Sequence, residues 1–246
     1  MKITMILLAL IVNSVYAQEQ DLVFFKNEQL KYGLKNSKEE IIIKPEYDFM
    51  YNFASEIIAV NKGGRIYDEY AKADGGKWGF FDYAGNVLTP LKYDNARPLS
   101  NSDDNLFIAV NKGCKFVGAS YCNGGKWGLI DKTGKEISLM KYNYIQTEIR
   151  SNEVQVALVK IKKKFGYIDA TTGKEITPIK YDEAMLFRWY TVAKVKLGKK
   201  WGIIDNTGKE LIPLIYDKII DFENDKFKVK QGNREFYIDR NGNEIK

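Results

Sequence analysis

Histidine is absent from all 246 residues. That excludes a Ser-His-Asp triad, a Cys-His dyad, a histidine-ligated zinc and a histidine general base. Cysteine is nearly as scarce: Cys114 and Cys122 lie eight positions apart, a spacing that matches no redox motif. In an exported chain such a pair reads as a loop-closing disulfide, stabilising by at most roughly 2.5 kcal/mol on the chain-entropy model. Beyond the first segment there is no long apolar run and no sustained helical period, so neither a membrane span nor a helical core is indicated. Blocks of one charge are missing too. The 38 Lys and Arg and 32 Asp and Glu residues are interspersed, for a net charge of +6. Interspersion describes a mixed solvated surface and, without a recognition motif, argues against nucleic acid as a partner. The one dense basic run, Lys160 to Lys164 with Ile161 inside it, falls where a hairpin turn is expected. As a site it would suit an anionic glycan, an envelope phosphate or an acidic protein.

The first segment has its own logic. Lys2 precedes an apolar stretch from Ile3 to Val12, and Val15-Tyr16-Ala17 precedes the polar Gln18. This is the composition of a secretory signal peptide cut after Ala17, with an apolar stretch too short to span a bilayer comfortably. The expectation is an exported mature chain, residues 18–246, in the periplasm, at the cell surface or secreted, without a transmembrane segment.

What fills that mature chain is a repeat. KWGLIDKTGKEI begins at Lys126, and related copies begin at Lys31, Lys77, Lys164, Lys200 and Glu235. The shared glycines Gly33, Gly79, Gly128, Gly166 and Gly202 stand 46, 49, 38 and 36 residues apart. A period near 40 predicts small units that share cores with their neighbours. Short β-branched and aromatic runs, punctuated by Gly, Asn and Asp, make each unit a three-stranded antiparallel meander. The units start near residues 22, 57, 106, 154, 192 and 226. Asp131-Lys132-Thr133-Gly134 and its equivalents carry the residues of a type I turn with a bulge glycine, the aspartate accepting backbone N–H groups. Asn36 to Glu39 lacks that glycine. Two hairpins, between Gly63 and Gly76 and between Gly113 and Gly125, are lengthened by roughly ten residues and should project as arms.

Two aromatic ladders run through the repeat. Tyr32, Trp78, Trp127, Phe165 and Trp201 precede the glycines, and Tyr47, Tyr93, Tyr142, Tyr181 and Tyr216 close the units. Burying such rings between units stabilises by about 2 to 3 kcal/mol each. The glycine beside the first ladder then permits close backbone approach or a bulge.

Lys200 to Asp217 reads KWGIIDNTGKELIPLIYD, and this pattern resembles the WG-repeat (KWG-repeat) proteins of bacteria. The resemblance covers nearly all of Leu22 to Lys246. It implies an all-β array, common in exported or surface proteins, and no catalytic residues. The fold expected is an open curved solenoid, favoured by the uneven spacing; a closed propeller-like ring is the alternative, favoured by an array that begins and ends within a unit. Ser138 to Met140 replaces the proline segment and Asn143 replaces an aspartate, which should weaken that unit.

Functionally this points to a non-catalytic interaction or scaffold module, without cofactor or metal, whose partner is a protein or envelope glycan. Carbohydrate binding by exposed aromatics is the alternative, and a glycan-cleaving pair of carboxylates a third reading. The recurrent turn acids also resemble calcium ligands, but each unit brings one acid beside lysines rather than several converging oxygens. Phe187-Arg188-Trp189-Tyr190 is the first candidate contact site, since aromatic-arginine loop clusters favour recognition; the alternative is that they cap the core of the fourth and fifth repeats. Tyr67 and Tyr70 on one arm, and Phe116 and Tyr121 on the other, are further candidates. Protein recovered from its native source should begin at Gln18 by N-terminal sequencing; a sequence starting at Met1 would contradict the export signal.

Overall fold

The computed structural model describes residues 22–54, 56–66, 73–99, 107–116, 122–147, 156–187, 192–223 and 226–245. Their regular elements are all strands. The first sheet holds β1 (Val23–Lys26), β2 (Tyr32–Lys35) and β3 (Ile41–Tyr47). The second holds β4 (Phe49–Ala54), β5 (Ile57–Ile66), β6 (Ala73–Asp82) and β7 (Val87–Tyr93), and the third β8 (Asn95–Pro98), β9 (Phe107–Phe116) and β10 (Cys122–Asp131). The fourth holds β11 (Tyr144–Thr147), β12 (Val156–Ile161) and β13 (Lys164–Asp169). The fifth holds β14 (Glu183–Ala184), β15 (Val192–Leu197), β16 (Lys200–Asp205) and β17 (Glu210–Tyr216). The sixth holds β18 (Lys218–Glu223), β19 (Lys226–Gln231), β20 (Arg234–Ile238) and β21 (Glu244–Ile245). Each sheet is an antiparallel meander, and among the described residues none closes into a barrel. No helix among them is long and apolar enough to cross a membrane.

The unit contains a strand that the sequence pattern hides. The segments after each Tyr-Asp or Tyr-Asn (β4, β8, β11, β14 and β18) pair with the strand read from sequence as the third of a unit. They are short or mixed in polarity, which is why they read as loops. Their entry is set by a backbone bond: Asp48, Asp94, Asn143, Asp182 and Asp217 donate N–H to the carbonyls of Asn61, Asn111, Lys160, Lys196 and Lys230 at 2.7–2.9 Å. In this frame the sixth sheet has four strands and the first has three, so the terminal split that favoured a ring holds only for the first sheet.

Each core lies between two sheets rather than within one. Ile58 and Val60 of β5 pack with Leu34, Ile43 and Tyr47 toward the first sheet, while Ile57 and Ala59 pack with Ile108 and Val110 of the third. Phe107 and Ala109 then meet Ala157 and Val159 of the fourth, and Val156 and Leu158 meet Ala193 and Val195 of the fifth. Ile203 and Ile212 meet Phe227 and Val229 of the sixth. Strands buried on both faces need near-continuous apolar runs, and the IIAV, FIAV and VALV segments provide them. The result is a solenoid-like succession of sheets.

The two aromatic ladders divide the work differently from the sequence expectation. They pair across strands: Tyr32 with Tyr47, Trp78 with Tyr93, Trp127 with Tyr142, Phe165 with Tyr181, Trp201 with Tyr216. All five closing tyrosines are buried, at 7% exposure or less. Of the ladder before the glycines only Trp78 is buried. Tyr32, Trp127, Phe165 and Trp201 are half-buried, with Lys26, Arg97, Lys160 and Lys196 over their rings at 4.4–5.3 Å. The tyrosine already fills the interior, so its partner covers the rim and takes a cation on its free face.

The glycine after that rim aromatic serves close approach. The register of β16 against β17 shifts between Trp201 and Ile203, and a Cβ on Gly202 would stand 2.6 Å from the Ile212 carbonyl oxygen. The turn glycine has a second role that sequence reading missed. Gly208 has φ +85°, as the turn requires, and a Cβ there would also stand 2.7 Å from the Ile176 carbonyl of the preceding unit. In the first unit Asn36 supplies the side-chain acceptor for Lys38 and Glu40, and Glu39 takes the left-handed position at φ 65°. The unit with Ser138 and the next one, which keeps its proline, both reduce their last strand to isolated bridges, and the Ser138 hydroxyl accepts the Leu129 N–H at 2.9 Å. Thr177 does the same for Tyr167 at 3.1 Å. Both arms form, β5 pairing with β6 out to Ile66 and Ala73, and Cys114 is bonded to Cys122 with Cα atoms 5.6 Å apart.

A polar clamp ties consecutive sheets. Asp48 accepts from Lys31 and, at 2.6 Å, from the Gly63 N–H. Asp94 joins Lys77 and Gly113 at 2.5 and 2.5 Å, Asp182 joins Lys164 and Gly198 at 2.6 and 2.8 Å, and Asp217 joins Lys200 and Gly232 at 2.6 and 2.7 Å. The lysine belongs to one sheet and the glycine N–H to the next. The bond from its lysine, then that from the glycine N–H, holds each of Asp182 and Asp217 below the usual carboxylate range. At Asp48 burial pushes upward, and Lys31 with the Gly63 N–H outweighs it.

Two outcomes follow from this packing. Tyr142→Ala should destabilise by about 3 kcal/mol or more in urea unfolding, as for other buried aromatics, and Trp201→Ala by about half as much or less; equal losses would contradict the division between ladders. A carboxylate with a lowered folded-state pKa contributes stability that is present above its unfolded value, about 3.9, and is lost as pH falls through the folded one. The urea midpoint should therefore drop as pH falls below about 4, and drop less steeply in the Asp182→Asn/Asp217→Asn double variant; identical pH slopes would contradict the clamp.

Candidate binding groove

The residues singled out from sequence fare unequally. Phe187 packs edge-to-face on Tyr167 at 4.9 Å between ring centres, beside a hydrogen bond from the Tyr167 hydroxyl to the Met185 carbonyl at 2.6 Å. It covers the core between the fourth and fifth sheets. Arg188, Trp189, Tyr190, Tyr67, Tyr70 and Tyr121 lie outside the described residues. Phe116 sits at the end of β9, opposite Cys122. The turn acids are engaged locally through one oxygen: Oδ1 of Asp131 and of Asp205 each accepts a Thr N–H, the same Thr hydroxyl and a Lys N–H at 2.6–3.0 Å. Among the described residues no three His, Cys, Asp or Glu side chains are grouped to hold a metal ion.

A groove of about 1150 Å³ lies elsewhere, lined by residues of the third to sixth sheets. Leu158, Phe165, Ile203, Ile219 and Phe227 give it an apolar lining. Lys126, Lys160, Lys162 and Lys194 give it positive charge, against the single acid Asp221. Several of its aromatic faces are already covered. Lys160 Nζ lies 4.7 Å over Phe165, Phe222 stacks on Phe227 at 4.4 Å, and Arg240 lies 5.7 Å over Phe222. Lys194 Nζ reaches the Ile219 carbonyl at 3.5 Å.

Sequence reading placed the Lys160 to Lys164 run on an exposed turn. The corner is indeed a hairpin turn, with Lys162 at φ 53° where other units have glycine, but Lys160 and Lys162 also line the groove. Lys126 and Lys194 carried no signal of their own. The signal for Lys126 lay in a departure from the repeat. In four units the lysine before the aromatic is paired with the aspartate after the tyrosine. Where that aspartate is Asn143, its Oδ1 still accepts the turn N–H, from Lys162 at 2.7 Å. The lysine, Lys126, has no ion pair among the described residues.

A family model described as WG containing repeat matches residues 32–65, 78–115, 127–165, 165–201 and 201–234. Among solved structures, one titled "Crystal structure of the eukaryotic initiation factor" is similar at 13% identity and a TM-score of 0.37, over 92% of this chain and 73% of that one. No curated protein matches the chain. The matches run through five consecutive units and most of the described length, and the chain belongs to the WG-containing repeat family.

Proposed function

We propose that this chain is an exported, non-catalytic binding module of the cell envelope, acting as a rigid array that receives a partner protein in the groove across its last four sheets. The observation that carries the reading is the groove itself: an apolar lining with cationic side chains, built on strands held by cores on both faces. Sites placed on such elements are better defined than sites on loops. The absence of histidine from the sequence removes the commonest general base, and the turn carboxylates are engaged by their own backbone. A glycan platform of stacked aromatics is less well supported here, because cations and neighbouring rings occupy faces that a sugar would use.

Met185 lines the groove and is 46% exposed, so Met185→Arg obstructs the groove without disturbing a core. The mature chain should retain a protein from its own envelope extract, and Met185→Arg should lose that retention with an unchanged melting temperature. Retention indifferent to the variant, or retention on a glycan column instead, would overturn the reading.

A further inference from the structure

The lysine-aspartate clamp is broken at one unit, and the break faces the groove. Lys126, Asn143 and Lys162 all line it. Asparagine keeps the structural half of the clamp, the acceptor for the turn N–H, and drops the half that neutralises the lysine. Its amide nitrogen adds a donor where a carboxylate would have had none. The neighbouring Lys160 and Lys194 add further positive charge.

Resting on the groove reading above, we propose that this position is an anion-reading subsite, and that the groove takes an extended acidic segment of a partner protein. Three observations select a peptide. At about 1150 Å³ the groove exceeds the roughly 300–1000 Å³ usual for small ligands. It is lined from four successive sheets, so that one ligand meets side chains of all four. Its walls include Tyr144 and Gln146 of β11, Ala184 of β14 and Ile219 of β18. Each of those strands is the edge of its sheet among the described residues. An edge strand presents N–H and C=O groups that an added strand can pair with. The charge balance, four lysines to one aspartate, sets the preference for carboxylates, and alternate apolar side chains would meet Met185, Leu186 and Val192, lining residues that are exposed or half-buried.

The test uses fluorescence anisotropy with a labelled alternating Glu-Leu decapeptide, its Ser-Leu counterpart, and vesicles containing anionic phospholipid. Wild type should bind Glu-Leu at least tenfold more tightly than Ser-Leu, with the difference shrinking as salt rises. Asn143→Asp recreates the clamp found in four other units, so it should melt at the same temperature or higher while losing at least fivefold in affinity for Glu-Leu. Affinity unchanged in Asn143→Asp would overturn the subsite. Equal binding of the two peptides, abolished by Met185→Arg, would overturn the acidic preference and leave the groove as a binding site. Binding of vesicles but of neither peptide would overturn the peptide in favour of a membrane surface, and binding of none of the three would overturn the proposal.

Discussion

No sheet in this molecule can bury both of its faces alone. A three- or four-stranded ribbon with Ile58 and Val60 on one side and Ile57 and Ala59 on the other is apolar on both, and water must be displaced from both before the strand is stable. The neighbouring sheets supply that cover, so that among the described residues five cores are distributed among six sheets. Stability then belongs to interfaces between units, as in other quasi-one-dimensional repeats. Much of the conserved-looking chemistry within the chain serves the same end. The turn glycine Gly208 lets one unit's hairpin lie against the backbone of the unit before it, and the Lys-Asp-Gly clamp spans the same junction with charge.

How far this could be read in the sequence depends on whether a feature has a period. The repeat, the all-β character, the Asp-x-x-Gly turns and both arms are written in residue types at fixed offsets, because turn geometry and strand alternation select them locally. The strand after each Tyr-Asp was invisible, since segments such as NARP and YIQT have no alternation of their own and become strands only by pairing with β9 and β12. The first aromatic ladder was misread. Both ladders read as interior packing, whereas position in the pair gives the interior to Tyr93 and Tyr142 and leaves Trp127 and Trp201 at the rim.

The groove teaches a complementary point. A repeat makes its structural residues easy to see and its functional ones hard to see, because function at one place requires a unit to differ from the rest. Asn143 is such a difference. It was legible as a departure, but its consequence was not, since the freed lysine is seventeen residues away in sequence and the wall it faces comes from later sheets. Phe187 is the converse case: an aromatic in a loop that suited either a contact or a core cap, and that packs on Tyr167 at the edge of a core.

Shared cores can be tested without reference to any partner. Ile238 is buried in the cluster that joins the fifth and sixth sheets, well placed to report whether damage to one sheet is felt by its neighbour. Hydrogen exchange followed by mass spectrometry on Ile238→Ala should show faster exchange in β16 and β17 of the fifth sheet as well as in β19 and β20, with β2 and β5 keeping their protection. Exchange that quickens only within the sixth sheet would contradict the account.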